Sequence, residues 1–141
     1  MLNCTDEQYQ AWWPGTHLAF HTVESRLGYV GNVVMMDEYV GTRRLKMKAV
    51  VTEVVPGKRT VWQFKQVVRL PAYLILEAAD VDGGVDLTHT VQTSFRGVGK
   101  VLDPLFRLYF SPGFERALDE HAQAEFPMLG EMLRDRAWSQ A

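Results

Sequence analysis

The chain has 141 residues, of which 47% are hydrophobic and 23% charged, a balance typical of one globular domain over residues 1–141. Fifteen basic and seventeen acidic side chains give a formal net charge of −2, which excludes an overall basic field for nucleic acid. No apolar run approaches the roughly 18 residues of a membrane span, so stable membrane insertion is not expected. The single cysteine, Cys4, excludes an internal disulfide and fits a reducing compartment, which favours a cytoplasmic protein.

A short helix is predicted at the start of the chain, over DEQYQAWW at residues 6–13. Thr5 or Asp6 can cap its first turn, and Pro14–Gly15 ends it. Trp13 is a large apolar group with one hydrogen-bond donor, which suits it to a core edge or to the mouth of a pocket.

Strands follow from His17, where the hydrophobic period changes from helical spacing to two. In HLAFHTVE this alternation places His17 and His21 on one side and Phe20 on the other. A second strand is expected over NVVMMDEYV at residues 32–40, after a glycine-rich turn.

The third strand alternates basic and apolar residues, the pattern of a half-buried antiparallel strand. Arg44, Lys46 and Lys48 form its basic side, and Leu45, Met47, Ala49 and Val51 its apolar side. The acidic pair Asp37–Glu38 on the preceding strand would supply partners of opposite sign. The basic side is therefore interpreted as a solvated outer face rather than as a nucleic-acid patch, since no aromatic residue interleaves with the lysines.

Further strands and turns continue this antiparallel meander. Pro56–Gly57–Lys58 and Asp82–Gly83–Gly84 supply the tight turns. Trp62 and Phe64 share one side of a strand, and His89 and Val91 share one side of the last strand. The expected strands cover residues 60–66, 72–81 and 87–95.

The period returns to 3.6 beyond Gly97, first over residues 101–109 and then in an amphipathic helix from Ser111 to Arg134. Ser111 caps this helix, Pro112 suits its first position, and Pro127 is expected to kink it. Its buried face is predicted to contain Phe114, Leu118, His121, Ala122, Glu125, Leu129, Met132 and Leu133. The fold class is therefore α+β, an antiparallel sheet packed on a helix.

Four stretches, Tyr9–Gly15, Val51–Trp62, Gly83–Phe95 and Glu120–Leu129, occur in the order short helix, meander, long C-terminal helix. In this order the chain resembles the helix-grip fold of the START-like (SRPBCC) superfamily, with its polyketide cyclase/dehydrase and lipid-transport branches. The resemblance implies a curved antiparallel sheet of about six strands wrapped round the C-terminal helix. It also implies a cavity for an apolar ligand between the two.

The chain departs from that family at its start, because members usually begin with a strand and a helix before the tryptophan segment. The resemblance would place that strand beside the last one, at residues 87–95. Its loss would leave unpaired N–H and C=O groups, a template for another chain. We therefore expect either a homodimer through the exposed edge of strand 87–95 or a cover over it.

No motif for phosphate, dinucleotide or zinc-protease chemistry occurs, and no cofactor is expected. His121 and Glu125 stand at i and i+4, so they can orient each other for acid–base work on a bound compound or form a pair at the helix rim. With His89 they are the candidate catalytic residues. The candidate ligand contacts are Trp13, Phe20, Met47, Trp62, Phe64, His89, Val91, Leu118, His121, Ala122, Glu125 and Leu129.

The histidines do not predict a metal site from spacing alone. His17 and His21 lie two residues apart on one side of a strand, and His89 could complete a zinc site with them. Spacing does not place a third ligand beside this pair, however, so no metal is expected. Three hypotheses remain: a module that binds a small hydrophobic or aromatic ligand, a polyketide cyclase/dehydratase-like enzyme in the same cavity, and an interaction protein with a filled core.

Overall fold

The computed structural model describes residues 4–93, 104 and 111–139. Most of the helical piece expected at residues 101–109, and the end of the strand expected at residues 87–95, lie outside the described residues. The elements are α1 (Asp6–Trp12), β1 (His17–Glu24), β2 (Val33–Val40), β3 (Arg43–Val55), β4 (Arg59–Lys65), β5 (Arg69–Val81), β6 (Gly84–Thr93) and α2 (Pro112–Ser139).

The strands form one six-stranded antiparallel sheet in which each strand pairs with its neighbour in sequence, in the order β1 to β6. The prediction of an α+β chain with a six-stranded antiparallel sheet and a C-terminal helix is therefore confirmed. The predicted turn glycines Gly57 and Gly83 both adopt positive φ, at 70° and 81°, which other residues adopt only with strain.

Helix α1 is fixed at its start by a capping box. The Thr5 side chain accepts a hydrogen bond from the Gln8 backbone, and the Gln8 side chain accepts one from the Thr5 backbone. The helix also covers the outer edge of β1: the Asp6 carboxylate accepts from the Phe20 N–H at 2.8 Å, and Gln10 donates to the Leu18 carbonyl at 2.6 Å. Backbone groups of an edge strand are thereby satisfied.

The simple alternation expected for β1 is wrong. The register shifts between His17 and Ala19, and both His17 and Phe20 are buried, at 0% and 2% exposed. His21 instead bonds the Asp6 carboxylate at 2.8 Å and is half-exposed. An irregularity of this kind rotates the strand locally, so that His17 leaves the face of His21 and joins the core.

The two adjacent acidic residues of β2 point in opposite directions. Asp37 lies on the side of the basic residues and makes a two-pronged contact with Arg44, with both N···O distances at 2.8 Å. The Arg44 guanidinium holds the pKa of Asp37 below its usual range. Glu38 faces the interior and accepts a hydrogen bond from the Tyr9 hydroxyl, so the expectation that both acids pair with the basic side is wrong for Glu38.

Helix α2 begins at Pro112 as predicted, and the Ser111 hydroxyl accepts a hydrogen bond from the Phe114 N–H. Of the predicted inner face, Phe114, His121 and Glu125 are buried, and Leu118, Ala122, Leu129 and Met132 are half-buried. The Leu133 side chain lies outside the described residues. No described helix is both long enough and apolar enough to cross a membrane.

The hydrophobic core lies between the inner face of the sheet, α1 and α2. It is built from Tyr9, Trp12, Phe20, Val34, Met36, Ala49, Val51, Trp62 and Leu74, with Met128, Leu129 and Met132 of α2 packed against it.

Candidate functional site

A cavity of about 440 Å³ lies between the sheet and α2. Residues from all six strands and from both helices line it, and most of their side chains are apolar. The apolar and aromatic walls are formed by Phe20, Met36, Leu45, Met47, Trp62, Phe64, Leu70, Ala72, Leu74, Leu76, Val91, Phe114, Leu118 and Phe126. The remaining wall residues are Tyr9, Glu38, Gln66, His89, His121 and Glu125.

Five residues, Tyr9, His17, Glu38, His121 and Glu125, form what we call the polar cluster at one wall of the cavity. The His17 Nε2 atom lies 3.5 Å from Glu125 Oε1, and His121 Nε2 lies 3.9 Å from Glu125 Oε2. The same His121 nitrogen lies 4.0 Å from Glu38 Oε2, the oxygen that accepts from the Tyr9 hydroxyl. The cluster therefore joins α1, β1, β2 and α2 through side chains.

His17 is held from behind by α1. Its Nδ1 lies 3.2 Å from the Tyr9 carbonyl, and its ring stacks on the Tyr9 ring at a centroid distance of 3.9 Å. A carbonyl only accepts, so Nδ1 carries the proton in this contact and the neutral ring presents the Nε2 lone pair to Glu125.

Two tryptophans of the first segment place α2. The Trp12 indole N–H donates to the Glu125 carbonyl at 3.0 Å, and the Trp13 ring packs on the His121 ring at a centroid distance of 4.7 Å. These contacts fix the helical turn that carries His121 and Glu125 over the sheet. Trp13 thus contacts His121 and does not itself line the cavity.

Burial controls the charge of the cluster, because an ionised group loses its hydration there. Burial raises the pKa of Glu125 to about 8, and the nearby Glu38 carboxylate acts in the same direction. Burial lowers the pKa of His17 to about 4, against the opposing contact with the Tyr9 carbonyl. Burial also lowers the pKa of His121 and raises that of Glu38. At neutral pH His17 and Glu125 therefore face each other as neutral groups rather than as an ion pair.

Two histidine nitrogens in the cluster are left unsatisfied. His17 Nε2 and His121 Nε2 are buried and have no hydrogen-bond partner among the described residues. Together with a Glu125 oxygen they form a group of atoms that all lie within 4.8 Å of one another. Two imidazole nitrogens and one carboxylate are a donor set that can hold a divalent transition metal.

Most of the residues that the sequence predicted as ligand contacts line the cavity. Trp13, Ala122 and Leu129 do not line the cavity: Trp13 packs on His121, Leu129 packs against the core, and Ala122 is half-buried. Those that line it are Phe20, Met47, Trp62, Phe64, His89, Val91, Leu118, His121 and Glu125. His89 lies apart from the ion contacts of the cluster, and its ring makes a T-shaped contact with the Phe126 ring at a centroid distance of 5.6 Å.

Sequence reasoning did not assign Tyr9, His17 and Glu38 to the site. A signal existed for Glu38, since neighbouring strand residues face opposite ways and only one of Asp37 and Glu38 can meet the basic side of β3. No periodicity reveals the place of His17, because the register shift that turns it inward is not encoded in the alternation.

Comparisons of the chain with models of protein families, with curated proteins and with solved structures find no match. The chemistry of the site therefore rests on its own geometry.

Proposed function

We propose that this chain binds a small, mainly apolar ligand in the cavity between the sheet and α2, with the polar end of the ligand turned toward the polar cluster. The observation that carries the proposal is the cavity itself: about 440 Å³ with mostly apolar walls, and with Tyr9, Glu38, His121 and Glu125 close together at one wall. Small-molecule pockets commonly measure about 300–1,000 Å³ and combine these two features. Each Å² of apolar ligand surface removed from water contributes roughly 25 cal/mol to binding.

The polar wall supports a neutral ligand rather than an anion. Burial keeps Glu125 neutral at neutral pH and raises the pKa of Glu38. The described lining residues include no lysine or arginine that would bind a carboxylate or phosphate at this end of the cavity. Trp62 also lines the cavity, and its buried indole N–H has no hydrogen-bond partner among the described residues. An unpaired buried donor costs about 1–3 kcal/mol, so a ligand with a hydroxyl or carbonyl acceptor would relieve that cost. A lipid-like or polyketide-like compound with one such group fits this description.

The same proposal includes the finer fold assignment, membership of the helix-grip superfamily. The element order supports it, since a short helix, an antiparallel meander and a long C-terminal helix follow one another. The position of the cavity between sheet and helix supports it as well.

Acid–base catalysis on the bound compound is the second candidate function. His121 and Glu125 both line the cavity, and their side chains approach to 3.9 Å on one helical turn. A ligand oxygen at this wall would lie within reach of both groups, the arrangement that proton transfer needs. The third hypothesis, an interaction protein with a filled core, is disfavoured by the volume of the cavity.

Native mass spectrometry of the untagged chain, purified without detergent or organic solvent, tests the binding proposal. We expect a fraction of the protein to carry one small molecule that organic extraction releases. Met47→Trp should reduce that fraction at least several-fold because the indole fills the cavity, whereas Lys48→Trp, on the opposite face of β3, should leave it unchanged. Equal occupancy in both variants, with folding verified by circular dichroism, would place the ligand elsewhere.

A further inference from the structure

We infer that His17, His121 and Glu125 form a binding site for a single divalent transition-metal ion at the polar wall of the cavity. This inference concerns a second ligand and does not depend on the proposed binding of an apolar compound. It rests on the positions of the donor atoms and on the way the surrounding residues hold them.

The distances between the donor atoms are close to those between neighbouring ligands of a bound metal ion. A metal ion at about 2.0–2.2 Å from each ligand sets tetrahedral neighbours about 3.4 Å apart. The Nε2 atom of His17 lies 3.5 Å from one oxygen of Glu125, and that of His121 lies 3.9 Å from the other. All three donors fall within 4.8 Å of one another, so small side-chain rotations are enough to close them on one ion.

Both imidazoles are buried with a free nitrogen directed at this point. His17 is 0% exposed and His121 is 9% exposed, and the Nε2 atom of each has no hydrogen-bond partner among the described residues. Leaving a buried polar atom unpaired costs about 1–3 kcal/mol, and two such atoms converge here on one carboxylate. A metal ion would satisfy both nitrogens at once.

The residues behind the ligands resemble the support that metal-binding histidines usually have. The Nδ1 atom of His17 lies 3.2 Å from the Tyr9 carbonyl, a contact that fixes the tautomer with Nε2 unprotonated. Trp13 packs on the ring of His121 and restrains its rotation. Glu38 lies 4.0 Å from His121 Nε2 and is itself held by the Tyr9 hydroxyl, so a second carboxylate stands beside the ion.

The donor set selects the class of metal. Two imidazole nitrogens favour zinc, iron, cobalt or nickel over calcium and magnesium, which prefer oxygen ligands. His121 and Glu125 line the cavity and His17 does not. The ion would therefore have protein on the His17 side and its open coordination positions toward the cavity, which is the layout of a site that binds a further molecule.

Zinc binding to the untagged protein, after removal of metals with EDTA, tests the inference. We expect one zinc ion per chain by isothermal titration calorimetry, and a rise in the unfolding temperature as zinc is added. Mutation of a residue that hydrogen-bonds to a metal ligand typically weakens metal affinity by about 10–100-fold. Because His121→Gln and Glu125→Gln remove a ligand itself, each should weaken zinc binding by at least about 100-fold. His21→Gln is the matched control because this half-exposed histidine lies outside the cluster, and it should bind zinc as the wild type does.

Circular dichroism verifies that each variant is folded, and Glu125→Gln, which is nearly the same size as the native residue, covers the case in which the histidine variant is unstable. Absence of stoichiometric zinc binding to the wild type, or unchanged affinity in folded Glu125→Gln, would overturn the inference. Ligand binding by the cavity is measured separately in the presence of EDTA, so the failure of one proposal leaves the other standing.

Discussion

Glu125 is a carboxyl group that is 7% exposed, with four titratable neighbours among the described residues. Tyr9 of α1, His17 of β1, Glu38 of β2 and His121 of α2 all face it. None of these neighbours is a permanent cation, so burial dominates and keeps its proton in place to about pH 8. The folded chain thus holds a proton that the unfolded chain releases near pH 4.5.

This difference makes the stability of the metal-free protein depend on pH. The raised pKa of Glu125 contributes stability that is complete below about pH 4.5 and is lost as the pH rises through about 8. The lowered pKa of His17 acts oppositely: its contribution is complete above pH 6.5 and is lost as the pH falls through about 4. Above pH 6.5 only the Glu125 contribution of these two still changes.

We therefore predict that the unfolding temperature, measured in EDTA by differential scanning calorimetry, falls between pH 6.5 and pH 8.5. In Glu125→Gln the decline should be shallower because the group no longer titrates. Glu120→Gln, an exposed position on the same helix, should follow the wild type. A flat wild-type profile, or an equal decline in Glu125→Gln, would contradict the assignment of a buried neutral carboxyl.

At the scale of the elements, the two edges of the sheet differ. The β1 edge is covered, since α1 side chains bond the Phe20 N–H and the Leu18 carbonyl. The edge formed by β6 has no further strand partner among the described residues. Exposed apolar side chains accompany it on the hairpin of β5 and β6, namely Val81, Val85 and Leu87. An edge strand that lacks a further partner within the described part of the chain, with apolar residues beside it, is a candidate for pairing with a second chain.

The homodimer, one of the two expectations for this edge, therefore has a direct test in sedimentation-velocity ultracentrifugation. We expect the wild type to sediment as a dimer and Leu87→Lys to shift it toward the monomer, since a lysine on an edge strand opposes pairing. Val55→Lys is the control, because Val55 has a similar exposure, 41% against 37%, at the end of β3. A wild type that stays monomeric, or a dimer that Leu87→Lys leaves intact, would refute pairing through β6.

Most elements could be predicted from the sequence because their signals are local. The Thr5 cap, the turn at Gly57 and the 3.6 period after Ser111 each act within a few residues, and each is found where the pattern placed it. Alternation alone predicted that Met47 and Phe64 face the inner side of the sheet, and both side chains line the cavity.

The polar cluster could not be predicted in full because it depends on contacts that are distant in sequence. Glu125 meets His17 across 108 positions, and the turn of α2 that carries it is fixed by the Trp12 indole rather than by any helical signal. The irregularity in β1 then decides that His17, and not His21, faces this point. Spacing therefore identified the i, i+4 pair of α2 and not the partners that other elements bring to it.

At the scale of the whole molecule, the sheet and the two helices enclose a volume that their side chains do not fill. Folded interiors are close-packed, so about 440 Å³ of space with mainly apolar walls supports the proposal of a bound ligand. The polar cluster makes one wall of the cavity polar, because it gathers two carboxyl groups and the cavity-lining imidazole of His121 there. This arrangement is the reason for proposing a ligand that is apolar along most of its length and polar at one end.

Fluorescence titration with the neutral aromatic probe N-phenylnaphthylamine, in EDTA, measures directly whether the cavity takes up an apolar ligand. We expect saturable binding of one probe per chain with enhanced emission. The affinity should fall at least about tenfold in Met47→Trp, a loss of about 1.4 kcal/mol, and should be unchanged in Lys48→Trp. Non-saturable binding, or equal affinity in the wild type and in folded Met47→Trp, would contradict this expectation.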